Sequence, residues 1–508
     1  MLAKINSLGL LGINGYAVTV EADVSTGLPG MDIVGLPDAA VKESRERVRS
    51  AVRNSGYGSF TQRVTINLAP ASMRKVGAVY DLPIAIGLLV CKGEIPQSAT
   101  DTVAFLGELS LNGDVRPVLG ALPMVIAARG LGHKTIVLPK QNAAECAYVD
   151  GIAIIPCESL VQIVNHFSGE EPIAPFEHTL WQNQSAHIHP EYDFNTVKGQ
   201  QMAKRALEIA AAGGHNVLMT GAPGSGKTML ARCLPSILPE LSFEESLEVT
   251  KIHSIAGTLG ENTGMMVQRP FRAPHHSASR IAITGGGTTS KPGEVSLSHF
   301  GVLFLDELPE FERNTLEVLR QPMEDGEITV ARINATVTYP ARFILIASMN
   351  PCPCGNYGSR DRVCTCSSTA RERYHNRISG PLMDRIDLQL QVHPVSFAQL
   401  RGQEEAESSF TIRQRVTAAR NIQLERYQND GVFFNAQLSA RLQNMHCVLS
   451  PECNDLLEQA FLRLSLSARG TSRIIKVART IADLAGAPAI TPEHLYEAIQ
   501  YRALDRAQ

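Results

Sequence analysis

The segment Gly221-Ala222-Pro223-Gly224-Ser225-Gly226-Lys227-Thr228 decides the fold of this 508-residue chain. It fits the pattern G-x-x-x-x-G-K-[ST], in which the backbone N–H groups of a glycine-rich loop surround phosphate oxygens. Residues 216–220 before it, with three apolar side chains at their centre, predict a buried strand, and residues 229–234 after it predict the start of a helix. Strand, loop and helix in this order are the context that the motif needs. We therefore predict a nucleoside-triphosphate site rather than a glycine-rich turn that binds nothing.

The side chains around this loop have the chemistry that phosphoryl transfer requires. Lys227 is expected to reach the β- and γ-phosphates of ATP, and the hydroxyl of Thr228 is expected to bind Mg²⁺. Downstream, the apolar residues 302–305 predict a strand that ends in two acids. We predict that Asp306 holds Mg²⁺ through water and that Glu307 orients and polarises the attacking water. The alternative is a chance acidic strand end, which its position after a phosphate loop argues against.

Two further polar residues follow the acidic pair. The predicted strand 342–349 ends at Asn350, whose amide is expected to contact the γ-phosphate or the attacking water. Arg385 lies in a loop-like segment that also holds acids, and it suits an arginine finger, which supplies positive charge to a neighbouring subunit's transition state. The alternative for Arg385 is a surface ion pair.

The composition is that of an ordinary soluble globular protein, with 44% hydrophobic and 19% charged residues. The net charge of −3 excludes a general basic surface, so any contacts with nucleic acid must be local. No stretch approaches the roughly 18 apolar residues of a membrane span, and we expect no membrane association. Residues 1–20 favour a strand over a signal peptide. The ten cysteines are therefore expected to stay reduced, in a cytoplasmic protein.

The order of the patterns divides the chain into four parts. Residues 1–168 mix strand and helix patterns and predict an α+β domain. Residues 169–192 hold prolines, glutamines and histidines without periodicity and predict a linker. Residues 193–394 contain the phosphate loop and predict an α/β motor core with inserted loops, including a helix over 313–323. Residues 395–508 predict a C-terminal helical lid, whose last helix Thr491 caps.

Two segments of the motor core are candidates for contacts outside the nucleotide site. Residues 241–299 are too long for a simple connection and are rich in glycine and basic residues, including Lys291, which predicts an insert with a function of its own. Residues 328–339 alternate as a hairpin does, with a tip near Arg332. Asn334 tolerates the left-handed conformation that a tight tip needs.

Four clustered cysteines form the pattern C-x-C-x₉-C-x-C at Cys352, Cys354, Cys364 and Cys366. Four thiolates suit tetrahedral structural zinc and leave no open position for catalysis. The spacing departs from the usual C-x₂-C, so free thiols are the alternative.

Several of these motifs together resemble AAA+ ATPases, most of all the branch that holds magnesium-chelatase motors and MCM replicative helicases. The resemblance is carried by GAPGSGKT, VLFLDE, the Asn350 strand end and GPLMDRIDL. In combination with the N-terminal domain, the chain is similar to the competence protein ComM family, also called YifB. The segments specific to that family are GLPDAAVKESRERVRSA, AAAGGHN, FRAPHH, GEVSLSHFGVLFLDELPEF and SMNPCPCG.

The N-terminal domain resembles the protease domain of Lon-type proteases, most clearly over residues 107–118 and 133–142. That family uses a Ser–Lys dyad. By the resemblance, the dyad positions fall at Val79 and near Leu122, and neither side chain can act as a nucleophile or a base. We therefore expect a protease-like fold without protease chemistry, serving as an assembly or docking module.

The resemblance also implies roles for single residues. Asn350 corresponds to sensor 1 and Arg385 to the arginine finger. The G-x-x-R of residues 470–473 resembles sensor 2, which would place Arg473, or its neighbour Arg469, on the nucleotide phosphates. In the MCM-like branch the hairpin points into the pore of the ring with a basic residue at its tip. The matching residue is Arg332, with Lys291 as the next candidate, against the alternative of a structural hairpin with a solvated arginine.

The function implied by the resemblance is an ATP- and Mg²⁺-dependent ring motor, expected as a hexamer, that moves branched or single-stranded DNA. Its expected process is branch migration of recombination intermediates during natural transformation. The alternative is an ATPase motor for magnesium insertion into a porphyrin, but chelatase motors lack this N-terminal domain and the cysteine cluster. The intact acid pair argues against a non-motor scaffold.

Overall fold

The computed structural model describes residues 1–181, 192–260, 263–287, 291–331, 336–358, 362–395 and 406–502. The predicted hairpin tip with Arg332 lies outside these residues, as does most of the second half of the predicted linker. Among the described residues, no helix is both long enough and apolar enough to cross a membrane.

The N-terminal domain is built on one mixed sheet. Its strands and a small adjoining hairpin are β1 Leu2–Leu11, β2 Asn14–Ser25, β3 Gly30–Val34, β4 Arg63–Ala69, β5 Val103–Phe105, β6 Glu108–Leu109, β7 Val115–Arg116, β8 Thr135–Pro139 and β9 Ala153–Cys157. Its helices are α1 Ala39–Val52, α2 Asp81–Lys92, α3 Ala121–Gly130, α4 Lys140–Cys146 and α5 Leu160–Ser168. The seven-stranded sheet has the order β3-β4-β2-β1-β5-β8-β9, with β6 and β7 paired separately. The predicted α+β class is confirmed.

Burial explains how this domain holds together. Helix α2 is apolar around its whole circumference, as expected of a helix packed on all sides, and ten of its residues are buried. Helix α1 has one apolar stripe, and Asp38 caps it by accepting a hydrogen bond from the backbone N–H of Val41. Arg47 on α1 pairs with the fully buried Asp81 of α2 at 2.7 Å, which fixes the two helices against each other.

The motor core contains a second, parallel sheet with two small hairpins. The strands are β10 Val217–Thr220, β11 Phe271–Arg272, β12 Gly285–Gly286, β13 Lys291–Pro292, β14 Val302–Leu305, β15 Glu327–Ala331, β16 Thr336–Pro340, β17 Ile344–Met349 and β18 Leu388–Gln391. The sheet has the order β11-β14-β17-β10-β18, and all its strands are parallel. Because parallel strands share one direction, their carboxyl ends meet at one edge, where the phosphate loop, the acid pair and Asn350 follow.

Helices surround this sheet and form the lid. Those of the core are α6 Gln201–Gly213, α7 Lys227–Ile237, α8 Phe243–Ala256, α9 Arg280–Thr284, α10 Glu294–Leu297, α11 Arg313–Glu317, α12 Arg320–Asp325, α13 Ser368–His375 and α14 Gly380–Met383. Those of the lid are α15 Ser409–Arg426, α16 Ala440–His446, α17 Pro451–Leu464, α18 Ala468–Leu484 and α19 Pro492–Gln500. The C-terminal region is helical, as predicted.

Two predicted helices differ in their bounds. The single helix expected over 313–323 is two short helices, α11 and α12. Pro322 explains the break, because it lacks an N–H and its ring crowds the carbonyl four residues earlier. The sequence predicts a helix from Ile474 to Leu484, opened by residues 470–473, but helix α18 begins at Ala468, since the side chain of Ser467 caps it by accepting from the backbone N–H of Gly470. Arg473 therefore lies in the second turn of α18 rather than at its start.

The N-terminal domain packs directly on the motor core. The backbone N–H of Gly120 donates to the carbonyl of Ser254 in α8 at 3.1 Å. The turn between β1 and β2 reaches β16, where a Cβ added to Gly12 would lie 2.7 Å from Cγ1 of Val337. The first contact connects the N-terminal domain to α8, and the second connects it to one of the strands that flank the predicted hairpin tip.

Candidate nucleotide-hydrolysis site

The phosphate loop has the local structure that its sequence predicts. It runs from β10 into α7, and Lys227 is the first residue of the helix. Gly224 and Gly226 have φ values of 78° and 91°, in the left-handed region that glycine adopts without strain. The loop therefore delivers its backbone to the N-terminal end of α7, where N–H groups and the helix dipole favour phosphate.

Lys227 lies at the centre of the loop. Its Nζ donates to the carbonyls of Gly221 at 2.7 Å and Ala222 at 3.0 Å, and lies 3.4 Å from Oδ1 of Asn350. Burial lowers the pKa of Lys227, while the carboxylates of Asp306 and Glu307 oppose this shift. The ammonium group is thus held beside the loop by carbonyl oxygens, in a position to exchange them for phosphate oxygens.

The two predicted magnesium-binding side chains meet across the sheet edge. The Thr228 hydroxyl donates to Oδ2 of Asp306 at 3.0 Å. Hydroxyl and carboxylate oxygens suit Mg²⁺, which keeps several waters and needs few protein ligands. The other carboxylate oxygen of Asp306 accepts a hydrogen bond from the buried Ser348. Ser348 was not predicted as a site residue, although the pairing of Leu305 with Ala347 places the two next residues side by side.

Glu307 sits in an unusual backbone conformation that turns it away from Asp306. Its φ and ψ are 53° and 50°, and its N–H donates to Oδ1 of Asp306 at 3.1 Å. Its side chain is 52% exposed, and Oε2 lies 3.6 Å from Nδ1 of His276. The carboxylate is therefore accessible to a water molecule beside the phosphate loop. His276 is a second site residue that was not predicted, although it ends the segment FRAPHH, which begins with β11.

Arg385 is placed away from the phosphate loop of its own chain. It precedes β18, whose other end lies beside the loop, and its side chain is only 4% exposed. It forms an ion pair with Glu324, and Nη1 donates to the carbonyl of Pro381 at 2.6 Å. Within one chain, the structure does not bring Arg385 to Lys227, and the guanidinium is instead held by Glu324 and Pro381.

Arg473 lies away from the phosphate loop of its own chain. Its Nη1 donates to Oδ1 of the buried Asp387 at 2.6 Å. Asp387 also accepts from the backbone N–H of Asn216, just before β10. Four strand residues, on the order of 13 Å, separate that end of β10 from the phosphate loop. The hydrogen bond from Arg385 lowers the pKa of Glu324, and the charges of Arg469 and Arg473 add to this shift, so both arginines lie near the ion pair of Arg385.

The four predicted metal-binding cysteines come together. The sulfur atoms of Cys352, Cys354, Cys364 and Cys366 all lie within 4.8 Å of one another. The sulfur of Cys352 is 3.4 Å from that of Cys354 and 3.6 Å from that of Cys364. The backbone N–H groups of Asn356 and Thr365 lower the pKa of Cys354 to about 6, which favours the thiolate.

Comparison with known proteins identifies the family. Models described as magnesium chelatase, subunit ChlI, as subunit ChlI of Mg-chelatase and as magnesium chelatase, subunit ChlI C-terminal match residues 193–400, 20–142 and 406–502. The protein YifB of Escherichia coli K12 is 44% identical over 506 residues, which cover 99% of this chain and 98% of YifB. Competence protein ComM of Haemophilus influenzae is 42% identical over 509 residues, with the same coverage. The chain belongs to the ComM/YifB family of magnesium-chelatase-like AAA+ ATPases.

Membership in the ComM/YifB family implies ATP and Mg²⁺ as the ligands of the site described above. The residues fit both ligands, because the loop offers N–H groups and an ammonium to phosphate while Thr228 and Asp306 place two oxygens together. A more distant relative is the magnesium-chelatase 38 kDa subunit of Rhodobacter capsulatus. It is 25% identical over 334 residues, which cover 61% of this chain and 86% of that subunit.

Three of the remaining predicted residues of this ComM/YifB family member, Val79, Leu122 and Lys291, lie outside the nucleotide site. Leu122 is fully buried and Val79 packs against the core of the N-terminal domain, so hydrocarbon occupies both positions at which the Lon-type dyad was expected. Lys291 is exposed at the start of β13, which pairs with β12. Arg332 is outside the described residues.

Proposed function

We propose that this ATPase is a ring-forming motor, assembled as a hexamer in the cytoplasm, that couples ATP hydrolysis to branch migration of DNA during natural transformation. The competence protein ComM, which matches over nearly its full length, supports the biological process. The physical support is the hairpin β15–β16, which lies in the sequence between the strand that ends in the acid pair and the strand that ends at Asn350.

This hairpin is anchored in a way that suits transmission of force. Its strands pair antiparallel from Glu327 opposite Pro340 to Ala331 opposite Thr336. Ile328, Val337 and Tyr339 are 3%, 6% and 2% exposed, and they pack in the same cluster as residues of β14 and β17. A movement at the acid pair or at Asn350 therefore reaches the hairpin through packed side chains, and the hairpin can carry it to DNA.

The DNA part of the proposal predicts a specific defect for Arg332→Ala. An arginine at a hairpin tip can hold a phosphate by paired hydrogen bonds, independently of sequence. Hydrogen bonds to charged groups contribute on the order of 1.5–3 kcal/mol, so DNA affinity should fall roughly tenfold or more while basal ATPase stays unchanged. Three measurements check this prediction: the ATPase rate with and without branched DNA, the DNA affinity at several salt concentrations, and the rate of strand movement.

Arg63→Ala is the matched control, because Arg63 forms only an exposed pair with Asp32 in the N-terminal domain. The control should keep DNA stimulation. If Arg332→Ala moves branched DNA at the normal rate at physiological salt, the hairpin is not the DNA contact, and Lys291 becomes the residue to change.

The assembly part of the proposal predicts complementation between two inactive variants. Arg385 supplies charge across a head-to-tail interface, and such interfaces close into rings. Arg385→Ala and Lys227→Ala should each be inactive alone. In a random equal mixture, roughly a quarter of the interfaces regain both groups, so some ATPase should return. The control is a chain that carries both Arg385→Ala and Lys227→Ala. Mixing it with either single variant should restore no ATPase, because no interface then regains both groups. Mixed rings that assemble well but stay inactive would contradict action across the interface.

We further propose that the four cysteines of the cluster bind a structural zinc ion. A tetrahedral site with Zn–S bonds of about 2.3 Å places sulfurs about 3.8 Å apart, close to the 3.4–3.7 Å between the sulfurs of Cys352, Cys354 and Cys364. Four sulfur ligands leave no place for a substrate, so the zinc would hold a loop rather than react.

A motor for magnesium chelation is the alternative function. The chelatase 38 kDa subunit aligns with 61% of this chain, and the identity of 25% is well below that to ComM. Stimulation of the ATPase by branched DNA, with none by a porphyrin substrate, distinguishes the two.

A further inference from the structure

The cysteine cluster touches the phosphate loop. Gly355 follows the ligand Cys354, and its N–H donates to the carbonyl of Cys352 at 2.9 Å, which closes a turn. A Cβ added to Gly355 would lie 2.6 Å from Cδ and 2.8 Å from Cγ of Pro223, in the middle of the phosphate loop. Real Cβ atoms essentially never approach another atom so closely, so there is no room for a side chain between Gly355 and Pro223. The turn and the phosphate loop are therefore in direct contact at this point.

A second connection joins the same segment to the catalytic residues. Asn350, whose Oδ1 lies 3.4 Å from Nζ of Lys227, is followed directly by Pro351 and Cys352. The carbonyl of Pro351 lies 3.2 Å from Nε2 of His375, and Cys352 is fully buried. The cysteine turn thus reaches the nucleotide site in two ways: through its contact with Pro223 and through the chain that carries Asn350.

We propose that metal binding at the four cysteines and nucleotide binding at the phosphate loop are coupled through the contact between Gly355 and Pro223. This inference rests on the zinc site proposed above. The metal fixes the turn that ends at Gly355, and this turn supports the loop in the conformation that receives phosphate. Loss of the metal frees the turn and removes that support.

The coupling has to be reciprocal. If the metal-bound cluster favours the nucleotide-binding conformation of the loop, bound nucleotide must favour the metal-bound cluster by the same factor. Nucleotide is therefore expected to tighten the binding of zinc and to reduce its release to a chelator at equilibrium, an effect that can be measured without any catalytic turnover.

The test uses the full-length protein, a chromogenic zinc chelator and a non-hydrolysable ATP analogue with Mg²⁺. Zinc content is measured first, and one zinc per chain is expected. The release of zinc to increasing chelator is then measured at equilibrium with and without the analogue, and we expect the analogue to raise the zinc affinity by roughly 5- to 150-fold, the usual range of such couplings. A protein that binds zinc with the same affinity with and without the analogue overturns the coupling alone. A protein that takes up no zinc even when reconstituted overturns both the zinc site and the coupling.

Two glycine variants test the route. Gly355→Ala and Gly358→Ala impose similar backbone strain, because the φ values are 78° and 76°. They differ in surroundings, since no described atom lies within 4 Å of a Cβ added to Gly358. Gly355→Ala should bind zinc but lose the effect of the analogue on its release, whereas Gly358→Ala should keep that effect. An unchanged effect in Gly355→Ala, or an equal loss in both variants, would rule out the contact with Pro223 as the route.

Discussion

Glu307→Gln is expected to bind ATP as the wild-type protein does and to hydrolyse it roughly 100- to 10,000-fold more slowly, the usual contribution of a positioned general base. The amide has nearly the shape of the carboxylate but cannot accept a proton from water. The largest expected effect on activity thus comes from a change of one atom in a half-exposed side chain.

The geometry explains why binding should survive this change. The Glu307 backbone N–H, rather than its side chain, supports Asp306, through a hydrogen bond of 3.1 Å. The pairing of Asp306 with Thr228 does not involve the side chain of Glu307. The loop, the lysine and the magnesium-binding oxygens therefore keep their arrangement in the variant.

Equilibrium binding of a fluorescent ATP analogue and steady-state phosphate release measure the two halves of this prediction. Glu310→Gln is the matched control, because it makes the same change three residues away on a carboxylate that pairs with the exposed Arg377 at 2.7 Å. The control should hydrolyse ATP at close to the wild-type rate. Wild-type turnover in Glu307→Gln would remove Glu307 from the mechanism.

The sequence was sufficient to predict the residues that follow strand ends. The phosphate loop, Asp306 and Asn350 each come directly after a strand, and the parallel order of the strands brings them to one edge. The cysteine cluster was predictable for a similar reason, since its four residues lie within fifteen positions of the sequence. In both cases, local pattern and chain direction determine the arrangement.

Contacts between distant segments could not be predicted in this way. His276 reaches Glu307 from a loop after β11, and Gln200 reaches the phosphate loop from before α6, where its amide donates to the carbonyl of Ser225 at 3.3 Å. Neither His276 nor Gln200 belongs to a periodic hydrophobic pattern, so the sequence pattern could not predict these contacts. The pairing of Arg473 with Asp387 could not be predicted either, because helix periodicity does not determine against which end of the strands a lid helix packs.

The partner of Arg473 leads to the second large expected effect, in this case on stability. Asp387 is fully buried and joins three segments that are distant in the sequence. It accepts from Arg473 of the lid at 2.6 Å and from the backbone N–H of Asn216 before β10 at 3.0 Å, and Nδ1 of the buried His215 lies 3.4 Å away. One carboxylate therefore ties the lid to the central strands of the motor core.

Asp387→Ala is expected to destabilise the motor core by on the order of 3 kcal/mol at pH 7, because it leaves a largely buried guanidinium and a buried N–H without their acceptor. Burial by itself would raise the pKa of Asp387, but the charge of Arg473, His215 and the hydrogen bond from Asn216 together lower it. The unfolded chain then binds a proton at a higher pH than the folded chain does. The stability contributed by the ionised Asp387 is present above about pH 4 and is lost as the pH falls further.

Hydrogen exchange of the β18 and α18 amides measures this effect locally, which suits a multidomain chain whose overall unfolding need not be two-state. Both segments should exchange faster in Asp387→Ala, and the difference from wild type should narrow only below about pH 4. Asp32→Ala is the control, because its pair with Arg63 is exposed on both sides and should contribute at most about 1 kcal/mol. If β18 and α18 stay as protected in Asp387→Ala as in wild type, the lid is held by its other contacts with the motor core, such as the ion pair of Arg415 with Glu208. Arg473 would then be free to leave Asp387 during the ATPase cycle.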